Sequence, residues 1–428
     1  MKKIILLQVV FFALLITVFS LEPCNAQIWK KISQKVKETA SNHVVNDAGN
    51  ATDKTIDKAE HPNVSNGNNS NSNQNSSSNN NSASVSDNSS SDNSSSAAPT
   101  IESYKNYDFV PGDSIIFADD FSDDQVGELP AHWLLCYGQG QVNEFEGKKV
   151  FMLTTGERGD AATVLQPRMK KKSGYMPAAF TVEFDMYSPF TTGKDDFRDP
   201  WVGLNFYGDD NPVGGYSDLN IGPNGLGFNS TLYTGGRDLP GNSGNENFVN
   251  KWHHVAIAYR DGQMKIYLDQ NRLYVIPQVT NSDMNKFAVR VSGKALVTNI
   301  RLAEGGGMSM IQKKFTEAKI VTHGITFDVD KADIKPESMG TLNMIVNVLK
   351  NNPDVKFEID GHTDNTGEAA QNLTLSQQRA DAVKVQLVKM GIDNSRLTTK
   401  GFGDSKPLSD NSTPEGKANN RRVEFVKI

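Results

Sequence analysis

The chain has 428 residues, with 44 Lys and Arg against 50 Asp and Glu, a net charge of −6. One hydrophobic core seldom grows past about 250–300 residues, so a single domain is set aside in favour of two or three. No basic surplus exists to neutralise phosphates, which argues against nucleic acid or an anionic membrane as partner, and two cysteines, Cys24 and Cys136, cannot staple a disulfide scaffold.

In chain order, Met1-Lys2-Lys3 precedes an apolar run from Ile4 to Phe19 and a small residue, Ala26, before Gln27, the three regions of a secretory signal peptide over 1–26. The run is shorter than the roughly 20 residues a spanning helix needs. Lipoprotein processing at Cys24 is the rival, and it would want small residues where the chain has Leu21-Glu22-Pro23. No later stretch is long and apolar enough to span a membrane as a helix. Over 27–60, Ile28, Trp29, Ile32 and Val36 recur at helical spacing among Lys30, Lys31, Lys35 and Lys37, a short basic amphipathic segment that either touches a membrane or partner or frays as a marginal helix. Residues 61–100 are almost pure Asn and Ser, too polar to offset chain entropy, and are expected to be a disordered linker.

From 101 to 305 short runs of period two are bounded by Gly, Asp, Asn and Pro, predicting an antiparallel sandwich. Thr181–Tyr187 alternates, and Val255–Tyr259 leads through Asp261-Gly262, a hairpin signal, into Met264–Leu268. With Asp119-Asp120-Phe121, Gly127, Pro130 and Trp133, the run Lys251–Ala256 and a late strand at Thr298–Arg301, this region resembles a laminin-G or concanavalin-like jelly roll. That resemblance implies glycan binding, sometimes calcium binding and sometimes hydrolysis. Hydrolysis needs two flanking carboxylates. Glu183 and Asp185 share one strand face with Tyr187, but the third acid of related hydrolases is missing. Adjacent His253 and His254 point to opposite faces of a strand and cannot ligate one metal together. Asp195, Asp196, Asp199, Asp209 and Asp210 cluster in Gly-rich sequence without the spacing of a calcium loop, and a solvated loop is expected.

From 306 to 428 strands alternate with amphipathic helices, the sign of an α/β domain, here of order βαβαββ. Ile325–Asp328 is predicted as a strand. Pro336 opens a helix with Leu342, Ile345, Val346 and Leu349 as its apolar stripe, and Val355–His362 returns as a strand that delivers Thr363–Gly367 to its carboxyl end. In a long second helix Leu375 stands near the start, Ala380, Val383, Leu387 and Val388 face the core, and Gly391 is the cap; Leu397–Phe402 and Val423–Ile428 are strands.

Gly361-His362-Thr363-Asp364-Asn365-Thr366-Gly367, then Asn372–Ser376 with Arg379-Ala380, Gly401-Phe402-Gly403, Pro407, Gly416 and Asn420-Arg421-Arg422-Val423 resemble, in order and spacing, the OmpA-like C-terminal domain. Ala418-Asn419 before Asn420 is the one local departure noted, and it leaves the motif intact. The resemblance implies non-covalent binding of peptidoglycan through the diaminopimelate side chain, whose far carbon carries an ammonium and a carboxylate. By motif, Asp364 accepts the ammonium and Arg379 grips the carboxylate, Thr363 and Asn372 add hydrogen bonds, and Arg421 or Arg422 completes the positive side. No cofactor, metal or catalytic residue is expected. The whole predicts a non-catalytic envelope protein of the periplasm or the periplasmic face of the outer membrane, its sandwich presenting a surface to a glycan or protein. The alternative is a wall-anchored carbohydrate-active enzyme with the sandwich as catalytic domain. An outer-membrane channel is disfavoured, since no set of alternating membrane strands precedes the wall module.

Overall fold

A computed structural model describes residues 100–154, 162–189, 200–208, 217–230, 234–239, 248–279, 284–306 and 318–428. The predicted signal peptide, amphipathic segment and all but the end of the linker lie outside these residues, as do Asp195, Asp196, Asp199, Asp209 and Asp210. Among the described residues no helix is long and apolar enough to cross a membrane.

The first part is two antiparallel sheets built from β1 (Ser114–Asp119), β2 (Trp133–Tyr137), β3 (Gly140–Phe145), β4 (Lys148–Leu153), β5 (Thr163–Pro167), β6 (Ala179–Tyr187), β7 (Trp201–Tyr207), β8 (Ser217–Gly222), β9 (Gly225–Ser230), β10 (Thr234–Arg237), β11 (Trp252–Arg260), β12 (Gln263–Leu268), β13 (Asn271–Ile276), β14 (Lys286–Ser292) and β15 (Leu296–Glu304). One sheet runs β13-β12-β11-β6-β15-β4-β3, with β1 also on β15, and the other β10-β9-β8-β7-β14-β5-β2. Alternation decides what each strand buries. Val182, Phe184 and Met186 of β6 and Val255 and Ile257 of β11 enter one core with Val202, Leu204 and Phe206 of β7 and Phe287, Val289 and Val291 of β14. The predicted hairpin is present: Asp261 and Gly262 have φ of 50° and 79°, and Arg260 pairs with Gln263.

The second part contains β16 (Lys319–Thr322), α1 (Met339–Asn351), β17 (Phe357–His362), α2 (Ala369–Lys389), β18 (Leu397–Gly403), α3 (Pro414–Asn420) and β19 (Val423–Lys427). The sheet order is β16-β19-β17-β18, with only the β17–β18 pair parallel. Leu342, Ile345 and Leu349 of α1 and Ala380, Val383 and Leu387 of α2 are fully buried against Phe357, Ile359 and Phe425. The helix α2 lies so close to the sheet that a Cβ on Gly361 would sit 2.2 Å from the Ser376 carbonyl oxygen, so the glycine of the loop motif is a spacing requirement.

Three expectations are corrected. Ile325–Asp328 is no strand: Phe327 makes a single bridge to Ile334, because Lys335 N donates to Thr326 O at 3.0 Å and Thr326 N to Ser338 Oγ at 2.9 Å, folding the segment back on the turn before α1. The first strand is the earlier Lys319–Thr322, paired with β19. A third helix, α3, interrupts the predicted ββ ending; Thr413 Oγ1 caps it by accepting from Gly416 N, with Pro414 in the first turn. Val388 stands 37% exposed, one step round the helix from fully buried Leu387.

The two parts share buried surface. Residues 101–110 form a strap in which Tyr104, Tyr107 and Phe109 pack on Tyr267 of β12 and on α1. Asn343 of α1 donates to the carbonyls of Lys105 and Tyr107. Asn419 of α3 mimics a strand, accepting from Ile115 N at 3.1 Å and donating to Ile115 O at 2.7 Å. Under this joint the outer face of β6 holds a charged network. His254 Nδ1 contacts Asp185 Oδ1 at 2.8 Å and its Nε2 faces Glu183 at 3.5 Å, Arg301 grips Glu183 at 2.7 and 3.0 Å, and Asn299 donates to Asp185 at 2.9 Å. A bulge in β15, with Asn299 at φ 59°, aims that amide. Arg301 also reaches the His323 carbonyl of the second part. Burial works against an imidazolium, yet the hydrogen bonds to Asp185 and Glu183 prevail and raise His254 to about 10. Burial likewise opposes ionisation of both acids, but Arg301 and His254 hold Glu183, and His254 holds Asp185, below the ordinary carboxylate range.

Candidate functional site

The loop after β17 emerges at the carboxyl end of that strand, beside the first turns of α2 and the start of β19. Thr363 N donates to Gly403 O and His362 N to Arg422 O, so the loop root is clamped between β18 and β19. Asp364 Oδ1 accepts from Thr366 N at 2.9 Å, a local turn that fixes the carboxylate, and its Oδ2 takes Nη1 of Arg421 at 2.6 Å. Burial pushes the Asp364 carboxyl up, but the Thr366 amide and the Arg421 guanidinium outweigh it and leave the group below its ordinary value. It is therefore an anion at neutral pH.

Asn372, in the first turns of α2, donates to the carbonyls of Asp364 and Thr366 and so ties loop to helix. Two turns on, half-buried Arg379 lies over the Phe327 ring at 5.0 Å and donates from Nε to Lys331 O at 2.9 Å and from Nη2 to Asp328 O at 3.2 Å. Burial lowers its pKa from the ordinary arginine value, and the charges near enough to act on it are Asp330 first, then Arg421 and Asp364. The Thr363 hydroxyl is buried and makes no hydrogen bond among the described residues.

Asp364, Arg379, Thr363, Asn372 and Arg421 thus gather around one loop. Arg422 does not join them: it is 6% exposed, bonded from Nε to Glu424 at 2.7 Å and from Nη2 to Lys406 O, and serves to hold the β19 start. Missed from sequence were Phe327 and the carbonyls of Asp328 and Lys331 that seat Arg379, 51 and 48 residues away along the chain; misassigning that segment as a strand hid them. Asn420 was quoted only as part of the motif, yet its side chain accepts from Leu408 N and Ser409 N and donates to Asn411, whose oxygen in turn accepts from Asn365 N. That chain of amides shapes the rim opposite α2.

Asp364, with Arg421 bonded to it and Arg379 on the adjoining helix, gives the rim charges of both signs, which can bind a ligand that carries both. His362, behind the loop, stacks on Phe402 at 5.3 Å; burial, with the Arg422 guanidinium, pushes it down to about 4, so it is neutral at pH 7.

Residues 326–421 match the model of the OmpA family. The chain is 42% identical over 122 residues to the probable lipoprotein YiaD of Escherichia coli (strain K12), covering 28% of this chain and 56% of that protein. It is 44% identical over 107 residues to the peptidoglycan-binding protein ArfA of Mycobacterium bovis, covering 25% of this chain and 33% of that protein. Among solved structures, the peptidoglycan-associated lipoprotein from Burkholderia pseudomallei aligns at 26% identity over 26% of this chain and 92% of that one, with a TM-score of 0.24. The chain spans about half or less of the length of these curated relatives. The loop, helix and strand ends that make the site fall within or next to the matched segment, and the last part of this chain carries an OmpA family domain.

Proposed function

We propose that this protein is a non-catalytic component of the cell envelope that binds peptidoglycan non-covalently through the rim around Asp364 and Arg379. The observation that carries this reading is the pairing of an ionised Asp364 with a seated Arg379 guanidinium on the same rim. Diaminopimelate offers an ammonium to the first and a carboxylate to the second. Lysine in its place would leave Arg379 without its anion, at a cost of about 1–3 kcal/mol if the group is enclosed. Thr363 and Asn372 sit behind the rim, where a small shift of the loop would bring the Thr363 hydroxyl to the ligand, and Arg421 contributes positive charge beside Asp364. Likeness to a mycobacterial peptidoglycan-binding protein supports the polymer as ligand.

In the same proposal the β-rich region, taken as a laminin-G or concanavalin-like jelly roll over 101–305, offers a separate surface to a glycan or protein, and the N-terminal 26 residues export the chain to the periplasm or the periplasmic face of the outer membrane. Glu183 and Asp185 are committed to Arg301, His254 and Asn299 beneath the second domain, which supports a structural role for them over a catalytic one.

The test is co-sedimentation of the mature protein with diaminopimelate-type peptidoglycan. Asp364→Ala and Arg379→Ala should each weaken pelleting by roughly ten- to a hundredfold, the range for losing one hydrogen bond to a charged group, while circular dichroism stays native. A folded double variant that still pellets like wild type would sink the assignment.

A further inference from the structure

On β17 the alternation that sends Phe357 and Ile359 into the core with α1 and α2 sends Glu358, Asp360 and His362 to the opposite face of the sheet. Glu424 of β19 is the cross-strand partner of Asp360 and shares that face. Asp360, His362 and Glu424 each bring one ligand atom within 4.8 Å of the others. The trio lies behind the root of the loop, and the proposed wall contact uses none of it.

His362 is 3%, Glu424 4% and Asp360 5% exposed. Polar atoms at that depth normally have a hydrogen-bond partner, yet neither ring nitrogen of His362 nor Oδ1 of Asp360 has one. His362 Nε2 stands 3.8 Å from Glu424 Oε2, too far for a hydrogen bond. Phe402 covers a flat side of the imidazole, so the nitrogens, which bond in the ring plane, gain nothing from that contact. Lys400 and Lys406 set their ammonium groups against the Phe402 ring, 4.9 and 3.7 Å from its centre. Glu424 is engaged on both oxygens: Oε1 accepts from Arg422 Nε at 2.7 Å and Oε2 faces Lys319 Nζ at 2.9 Å. The Arg422 side chain is 4% exposed and that contact is built in, whereas Lys319 is 44% exposed and water can take over its ammonium.

We infer that Asp360, His362 and Glu424 form a Zn2+ site, in which the metal takes the place of the Lys319 ammonium at Glu424 Oε2. An imidazole nitrogen with two carboxylate oxygens suits Zn2+, whereas Ca2+ and Mg2+ take oxygen ligands. Ligand atoms around a tetrahedral Zn2+ stand roughly 3.3 Å apart, so small side-chain rotations close the set, and water completes it. Glu358, on the same face, adds a third acid against the fixed Arg422 charge. The ion would satisfy the enclosed His362 nitrogen and Asp360 oxygen together and would bridge β17 to β19.

The mature full chain, stripped with chelator, is titrated with Zn2+ in competition with a chromogenic zinc chelator near neutral pH, and circular dichroism checks the fold of each variant. The expected result is a Zn2+ held against the chelator and not displaced by millimolar Ca2+. His362→Gln and Asp360→Asn should each weaken that binding by about tenfold or more. Lys319→Gln, at a side chain that reaches water, should tighten it severalfold, because the ammonium that competes for Glu424 is gone; a network that serves only the fold gives no such gain. If His362→Gln or Asp360→Asn fails to fold, the Lys319→Gln comparison still decides. A folded wild type that takes no Zn2+ from the chelator would overturn the proposal. So would full retention of binding by folded His362→Gln and Asp360→Asn, or binding by Lys319→Gln no tighter than wild type.

Discussion

Glu183 and Asp185 on the β-rich region and Asp364 on the C-terminal loop are all acids held beside cations, yet their surroundings differ. The Glu183 side chain is 5% exposed and its partner Arg301 19%, both beneath the domain joint. Asp364 is nearly as enclosed, at 10%, but its partner Arg421 is 46% exposed. A pair sealed on both sides can serve only the fold, because opening it strands a buried charge. A pair with one solvated member can exchange that member for a ligand. What separates these two carboxylates is the exposure of the partner, not that of the acid.

The largest effect should come from breaking the sealed network. His254→Ala strands Asp185 and should cost about 3–5 kcal/mol in urea unfolding, with wall pelleting unchanged per folded molecule; a cost under about 1 kcal/mol would show that the network is not sealed. The sign of its pH dependence follows from the shifts. His254 titrates at about 10 in the folded protein against about 6.5 unfolded, so its contribution is complete below about pH 6.5 and is lost as pH rises through about 10. Glu183 and Asp185 are depressed, so theirs is complete above their unfolded values near 4 and is lost as pH falls through the depressed folded values. Unfolding across pH 6.5–10 should therefore show a fall in stability that His254→Ala removes.

Next in size, Gly361→Ala presses a methyl group onto the Ser376 carbonyl and should cost about 1–3 kcal/mol by overpacking. Because α2 carries Asn372 and Arg379, its displacement should weaken pelleting as well, an outcome His254→Ala does not share. The smallest effect is that of Arg421→Ala. An exposed ion pair contributes about 0–1 kcal/mol, so stability should barely move, and a loss approaching that of His254→Ala would erase the distinction between the two pairs.

Features with local signatures were legible in the sequence. Leu342, Ile345 and Leu349 announce a helix face by spacing, Asp261-Gly262 announces a turn by its positive φ angles, and the run from Gly361 to Gly367 identifies its loop by density of motif. The sealed network was not legible. His254 meets Asp185 across 69 residues and Arg301 meets Glu183 across 118, pairings that depend on which strands become neighbours. The seat of Arg379 failed for the same reason, compounded by β-branched and aromatic residues at 325–327 that mimic a strand while their backbone bonds go to Lys335 and Ser338. Arg422 was indistinguishable from Arg421 by motif, and only strand pairing turns one toward Glu424 and the other toward Asp364.

The strap at 101–110 also has a mechanical side. The chain reaches the OmpA family domain before it enters the β-rich region: Phe109 lies so close to α1 that a Cβ on Gly340 would strike its carbonyl, and Asn343 pins Lys105 and Tyr107. If the rim at Asp364 were held, as the proposed wall binding would hold it, tension applied at residue 101 would run from strap to α1 and through the α/β core to the loop. The β-rich region, with fifteen strands among the described residues, would hang beside that load path and keep its strands in register.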